Sequence, residues 1–226
     1  MTGARYDGLA QDYAAFQDEH REYYALAEES LRRLLGGGRG RCLDLGCGTG
    51  RFLAAVADLG WIPVGIDASA DQLRVARQAH ATGELTLGDA AALPFSDSTF
   101  DACISLFTHT DVDDFPGLVG EAKRVLRSGG RLVYVGNHPC FVGPTQEHTD
   151  TGIPILHDGY RRAGRHDSTI SPGTTPGGWR MRLGSFVHLP LGPFLNAFSG
   201  LILLAAEELD DGWEYPKTFA LAFAKP

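Results

Sequence analysis

The chain has 226 residues, enough for one large domain whose core needs no disulfide or structural metal. Apolar residues at 43% and charged residues at 21% exclude a disordered chain. Twenty Lys plus Arg against 28 Asp plus Glu leave a net charge of −8, which argues against a nucleic-acid partner held through phosphates.

Residues 6–35 carry an amphipathic helical pattern that ends in LRRLLGGG, so an N-terminal helical cap is expected over 1–35. RCLDLG (41–46) reads as a buried strand and RFLAAVADLG (51–60) as a helix. WIPVGID (61–67) is a strand, and SADQLRVARQAHA (69–81) a helix with Ser69 as N-cap. ELTLGD (84–89) and FDACISLF (100–107) are strands. DFPGLVGEAKRVLRSGG (114–130) is a helix with Asp114 as N-cap and Pro in its first turn, followed by the strand RLVYVG (131–136). This alternation predicts an α/β fold with right-handed crossovers and a doubly wound, mostly parallel sheet. Residues 137–185 lose the rhythm, being rich in Gly, Pro, Arg and His, and are expected to form an inserted lid or substrate segment. A helix (190–200) and two strands (201–209 and 217–225) then close the sheet as an antiparallel pair. One domain, 1–226, accounts for the whole pattern.

No apolar run approaches the length of a bilayer span, and residues 1–13 hold no secretory apolar segment, so no membrane partner and a cytoplasmic location are expected. The four cysteines, at 42, 47, 103 and 140, lack CxxC or zinc spacing and read as reduced thiols.

The sharpest feature is CLDLGCGTGRF (42–52): a buried strand reaches Asp44 and turns through Gly46, Gly48 and Gly50 into a helix. Glycines let the backbone bend tightly and let a ligand approach the amides. The dinucleotide fingerprint GxGxxG fails because Arg51 stands at the third glycine position, and no GK[ST] follows for a phosphate loop. At the end of the second strand, Asp67 is placed to accept both hydroxyls of a ribose, or else is a solvated acid in a turn.

With these motifs the chain resembles the class I S-adenosylmethionine-dependent methyltransferases of small-molecule type, whose first motif is close to DLGCGTG. VGIDAS (64–69), GDAAALPFSDSTFDACIS (88–105) and RVLRSGGRL (124–132) resemble the family's later motifs in order, with Ser128 where Pro is usual. The resemblance implies a Rossmann-like seven-stranded sheet with an antiparallel C-terminal strand. It implies S-adenosylmethionine as cofactor and S-adenosylhomocysteine as product. Asp44, Gly46, Cys47 and Gly48 would then form the turn beside the methionine amino group, with Leu106 and Phe107 flanking the methionine. Asp67 and Ala68 would hold the ribose, Asp89 and the Ala90 amide the adenine edge, and Gln72 a further adenine contact. Tyr13 either closes over the cofactor or packs as a core aromatic.

Methyl transfer from a sulfonium is an in-line displacement that asks the protein for alignment, exclusion of water and a base where the acceptor is protonated. His109 after the fourth strand, His138 after the fifth and His188 before the helix at 190 are the candidate bases, or else residues that order their turns. His109 leads, although the family often carries its His one position later, at Thr110 here. Asp111, Asp113 and Asp114 could form a cation site, but capping explains them better and no metal is expected. Arg161, Arg162, Arg165, Arg180 and Arg182, with His148, His157 and His166, could form a cationic lid suited to a carboxylate or phenolate acceptor. Alternatively these arginines pair with acids in 207–214. Phe141, Tyr160, Trp179 and Phe186 either wall a flat acceptor or pack the insert. The expected activity is O-methylation of a small specialised metabolite by a monomer or homodimer. N- or C-methylation, or a non-methylating cyclisation or decarboxylation, are the alternatives.

Overall fold

Short apolar runs become the inner strands of one sheet, buried on both faces and covered by the amphipathic segments, while the edge strands at 84–87 and 202–208 are largely exposed. The computed structural model describes residues 4–79, 83–149, 153–174, 178–210 and 212–226. β1 (Arg41–Leu45), β2 (Ile62–Asp67) and β3 (Glu84–Leu87) pair in parallel, with Leu43 opposite Val64 and Val64 opposite Glu84. β4 (Phe100–Leu106) lies on the other side of β1, and β5 (Leu126–Asn137) follows it, both parallel. β10 (Ile202–Glu208) and β11 (Thr218–Ala224) add antiparallel strands beyond β5. The sheet order is β10-β11-β5-β4-β1-β2-β3. It grows in one direction from β1 to β3 and in the other from β1 to β4, and such a reversal opens a crevice at the carboxyl ends of the strands.

Alternate residues on each strand feed two cores. On one face Leu43, Leu45, Cys103, Leu132 and Tyr134 meet α5 (Phe115–Val125) and α7 (Leu191–Ala197). On the other, Cys42, Ala102, Ile104, Val133 and Val135 meet α2 (Arg21–Leu35) and α3 (Leu53–Asp58). α1 (Ala10–Glu19) packs against α4 (Ala70–Ala79), and the last two residues of the helix expected over 69–81 lie outside the described residues.

Three expected boundaries move. The helical cap breaks at His20, whose ψ of 32° ends α1 and begins α2. The helix expected to reach Gly130 stops at Val125, because Leu126 is already extended with ψ 137°. The following turn is then tied to the last strand, Gly129 N donating to Lys225 O at 2.8 Å and Lys225 N to Gly130 O at 2.9 Å. The insert contains two small antiparallel pairs: β6 (Gln146–His148) with β7 (Pro154–Leu156), and β8 (Gly164–Asp167) with β9 (Ser185–His188). A short helix, α6 (Trp179–Leu183), precedes β9, so the insert runs three residues past Ser185 and His188 ends a strand.

Phe194 is fully buried, with its ring 5.0 Å from Phe115 and 5.1 Å from Tyr134. Phe194→Ala is expected to cost about 3–5 kcal/mol of unfolding free energy in urea titration. A loss well under that range would mean that α7 does not share the core.

Candidate active site

Past β1 the chain bends because the amides of Gly46 and Cys47 both donate to Ile66 O of β2, at 2.9 and 3.0 Å. Gly46 has φ +73°, and a Cβ there would come 2.7 Å from Thr108 Cγ2, so only glycine fits. Asp67 then fastens this turn to the end of β2. Its Oδ2 accepts Gly48 N at 2.9 Å and its Oδ1 accepts Ser69 N at 2.8 Å. Burial pushes the Asp67 carboxyl up, and these two amides oppose the rise. Ser69 caps α4 as expected, its Oγ accepting Gln72 N at 3.2 Å.

A cavity of about 150 Å³ lies at the carboxyl ends of these strands. Ten of the twelve residues expected to hold a cofactor line it. Gly46 and Gly48 come from the first turn, Asp67 and Ala68 from the end of β2, and Gln72 from α4. Asp89 and Ala90 follow β3, Leu106 and Phe107 end β4, and Tyr13 descends from α1. Asp44 and Cys47 sit behind this wall, both buried. Burial, with help from the Asp67 charge, raises the Asp44 carboxyl to about 8. Burial likewise pushes the Cys47 thiol up. Asp44 Oδ2 and Gln72 Oε1 are buried acceptors without a hydrogen-bond partner among the described residues.

Phe107 has φ +58°, a left-handed conformation that side chains avoid at a cost of about 1 kcal/mol or more. Its amide is held by Val135 O at 2.8 Å, and its ring packs 5.4 Å from both Tyr23 and Tyr24. The constraint sets the backbone at the end of β4 against the cavity.

Arg5, Tyr6, Ser69, Thr108, Asp111 and Val112 also line the cavity. No motif marks Arg5 or Tyr6, whose place depends on long-range packing. Gly8 N donates to Asp71 Oδ2 at 2.7 Å and Ser69 Oγ to Asp7 Oδ1 at 2.7 Å, which lays the N-terminal segment along α4. Tyr13 both lines the cavity and packs, with its ring 4.9 Å from Trp179 and its hydroxyl 3.4 Å from that of Tyr24.

The three candidate bases lie off this wall. His109 is buried among aromatic rings, its Nδ1 bonded to the Tyr134 hydroxyl and its ring edge-on to Phe115 and Phe194. Burial, reinforced by nearby Arg180, lowers its pKa to about 3, so the imidazole is neutral. His138 accepts Cys140 N on Nδ1 at 3.2 Å, faces Glu208 at 3.5 Å and rests on Phe219. His188 Nε2 donates to Tyr160 O at 2.7 Å. Burial lowers the pKa of both. Thr110, the alternative register for the first histidine, accepts from Arg180 on its hydroxyl.

The acids after β4 are taken up by arginines and by a helix N-terminus. Asp111 Oδ1 meets Arg5 Nη1 at 3.0 Å and Arg180 Nη1 at 2.7 Å. Asp113 pairs with Arg165 at 2.6 Å, and Asp114 caps α5 by accepting Gly117 N at 2.8 Å. Arg182 pairs with Asp12 at 3.1 Å. The alternative pairing of the insert arginines with 207–214 is corrected for these three. Glu207 takes Arg33 and Ser30 instead, and Glu208 faces His138, while Asp211 lies outside the described residues. Of the insert aromatics, Phe141 packs on His138 and Tyr215, Tyr160 accepts Leu191 N, and Phe186 is buried. Trp179 alone of the four stands beside the cavity, its ring 6.0 Å from Tyr6.

The neutral His109 carries a sign for stability. Its pKa falls from 6.5 in the unfolded chain to about 3 when folded, so acidification protonates the unfolded state first. Its contribution is present above about pH 6.5 and is lost as pH falls toward 3. The stability advantage of wild type over His109→Gln is therefore expected to shrink between pH 7 and pH 4 in parallel urea titrations. An advantage that grew on acidification would show a charged imidazole.

Residues 43–134 match the family described as Methyltransferase domain. A demethylmenaquinone methyltransferase of Tropheryma whipplei (strain Twist) is 41% identical over 109 residues, 45% of this chain and 44% of that protein. Another, of Streptomyces avermitilis, is 34% identical over 157 residues, 62% of this chain and 67% of that protein. The chain thus spans about half the length of the first relatives it matches. A crystal structure of an S-adenosylmethionine-dependent methyltransferase from Mesorhizobium loti shares the fold, with a TM-score of 0.68 at 23% identity over 88% of this chain and 98% of that one.

Proposed function

The chain belongs to the class I S-adenosylmethionine-dependent methyltransferases, and we propose that it transfers the methyl group of that cofactor to a hydroxyl or carboxyl oxygen of a small specialised metabolite. The Asp67 clamp beside a cavity with one orphaned acceptor on its wall, Gln72 Oε1, and a second just behind it, Asp44 Oδ2, carries this reading. A ribose needs an acceptor pair at the end of the second strand, which Asp67 offers. The partnerless oxygens of Asp44 and Gln72 offer acceptors to an ammonium and to an adenine amine. When bound, the cofactor supplies an electrophilic methyl on a sulfonium, which leaves without protonation.

What remains for the chain is positioning. The glycine turn and the constrained Phe107 fix the strand ends, and Tyr6 and Tyr13, with Trp179 packed on both rings, give the cavity an aromatic side. The described cavity wall holds no histidine. We therefore assign deprotonation to the acceptor's own ionisation, which suits a carboxylate or an acidic phenol. His109 acts behind the wall, where its bond to Tyr134 holds the end of β4 against β5. Relatives named for demethylmenaquinone support a small-molecule acceptor.

Two measurements test the reading. Asp67→Asn is expected to weaken S-adenosylhomocysteine binding about tenfold or more, since it replaces a charged acceptor by a neutral one. Unchanged affinity would remove Asp67 from the site. Incubation with S-adenosylmethionine and a panel of phenols, carboxylic acids and amines, read by mass spectrometry, should give a single methyl gain on oxygen. Methylation confined to nitrogen or carbon would overturn the oxygen assignment.

A further inference from the structure

Where the N-terminal segment, the loop after β4 and α6 of the insert converge, two guanidiniums share one carboxylate. Asp111 Oδ1 accepts from Arg5 Nη1 at 3.0 Å and from Arg180 Nη1 at 2.7 Å. Arg180 spends a further donor on the Thr110 hydroxyl, and Arg5 Nη1 also reaches Thr110 O at 3.3 Å. The neighbouring Arg165 is already matched by Asp113. Asp67 stands at the ribose end and is occupied by two amides. At the β4 end of the cavity the cations therefore outnumber the anions, in a protein whose net charge is −8.

The second observation is a set of unused donors. The Arg5 side chain is 15% exposed, yet its Nε and Nη2 are buried and have no partner among the described residues. A guanidinium presents its donors as a rigid fork that fits two oxygens of one carboxylate. Burying two such donors without acceptors is costly, and an incoming anion removes that cost. Arg5 lines the cavity together with Tyr6 and Asp111.

Resting on the methyl-transfer reading above, we infer that Arg5, backed by Arg180, forms a carboxylate-binding subsite for the methyl acceptor. The acceptor is then an organic anion, and Tyr6 and Tyr13 beside the subsite offer flat faces to an aromatic one. Asp111 holds the two arginines together and sets the affinity by competing with the ligand for them.

The test titrates benzoate and its neutral isostere benzamide into protein saturated with S-adenosylhomocysteine. Benzoate should bind about tenfold tighter than benzamide, and Arg5→Gln should erase that preference while S-adenosylhomocysteine binds as in wild type. Asp111→Asn, which removes the competing carboxylate, should tighten benzoate instead. Equal behaviour of the two probes, including no binding by either, overturns the inference, as does a preference that survives in Arg5→Gln. Loss of S-adenosylhomocysteine binding in Arg5→Gln also overturns it, because Arg5 then holds the cofactor's own carboxylate. Failure of wild type to bind S-adenosylhomocysteine would count against the methyl-transfer reading alone. Benzoate against benzamide without it would still decide on the arginine pair.

Discussion

The carboxylate of Asp67, clamped between the amides of Gly48 and Ser69, is the constraint on which the site depends. It joins the turn after β1 to the turn after β2, so two neighbouring crossovers end in one rigid edge. Without it the left-handed turn at Gly46 and Gly48 would keep, of its hydrogen bonds to β2 among the described residues, the Gly46 and Cys47 amides on Ile66 O. Keeping this acid in a buried place carries a desolvation cost, which the two amides offset in part. Such a group is stable where it stands and still has lone pairs to offer a ligand.

Around that edge the fold divides its labour by depth. Residues at the strand ends face the cavity, while those one layer down fill the aromatic core. His109 shows the distinction: it follows β4 closely but turns toward Tyr134, Phe115 and Phe194. The insert reaches the cavity lining through one short helix, α6, which sends Trp179 onto Tyr6 and Tyr13 and Arg180 onto Asp111. Its strands pair with each other, β6 with β7 and β8 with β9.

The sheet was legible because parallel strands need unbroken apolar runs and their helices need caps. Asp114 and Ser69 announced two helix starts correctly, and the glycine turn with Asp67 and Asp89 marked one wall of the cavity. Helix ends were less legible. Val125 ends α5 four residues before Gly129, because Leu126 finds its backbone partner on the neighbouring strand. The acceptor side was barely legible, since Arg5, Tyr6 and Arg180 come from segments 170 or more residues apart that no local periodicity links. Which way His109 points is likewise a packing outcome: a spacing rule places it near the site, and the Phe115–Phe194 cluster decides its direction.

The most direct measurement is calorimetric titration of the protein with S-adenosylhomocysteine at pH 7 in two buffers of different ionisation enthalpy. The Asp44 carboxyl, raised to about 8, is largely protonated there. An ammonium set against its free oxygen favours the ionised form, so binding should release a proton. Micromolar binding, on the order of −8 kcal/mol, is expected, with proton release seen as a buffer-dependent heat. No binding, or binding with proton uptake, would contradict a cofactor site built on Asp67 and Asp44.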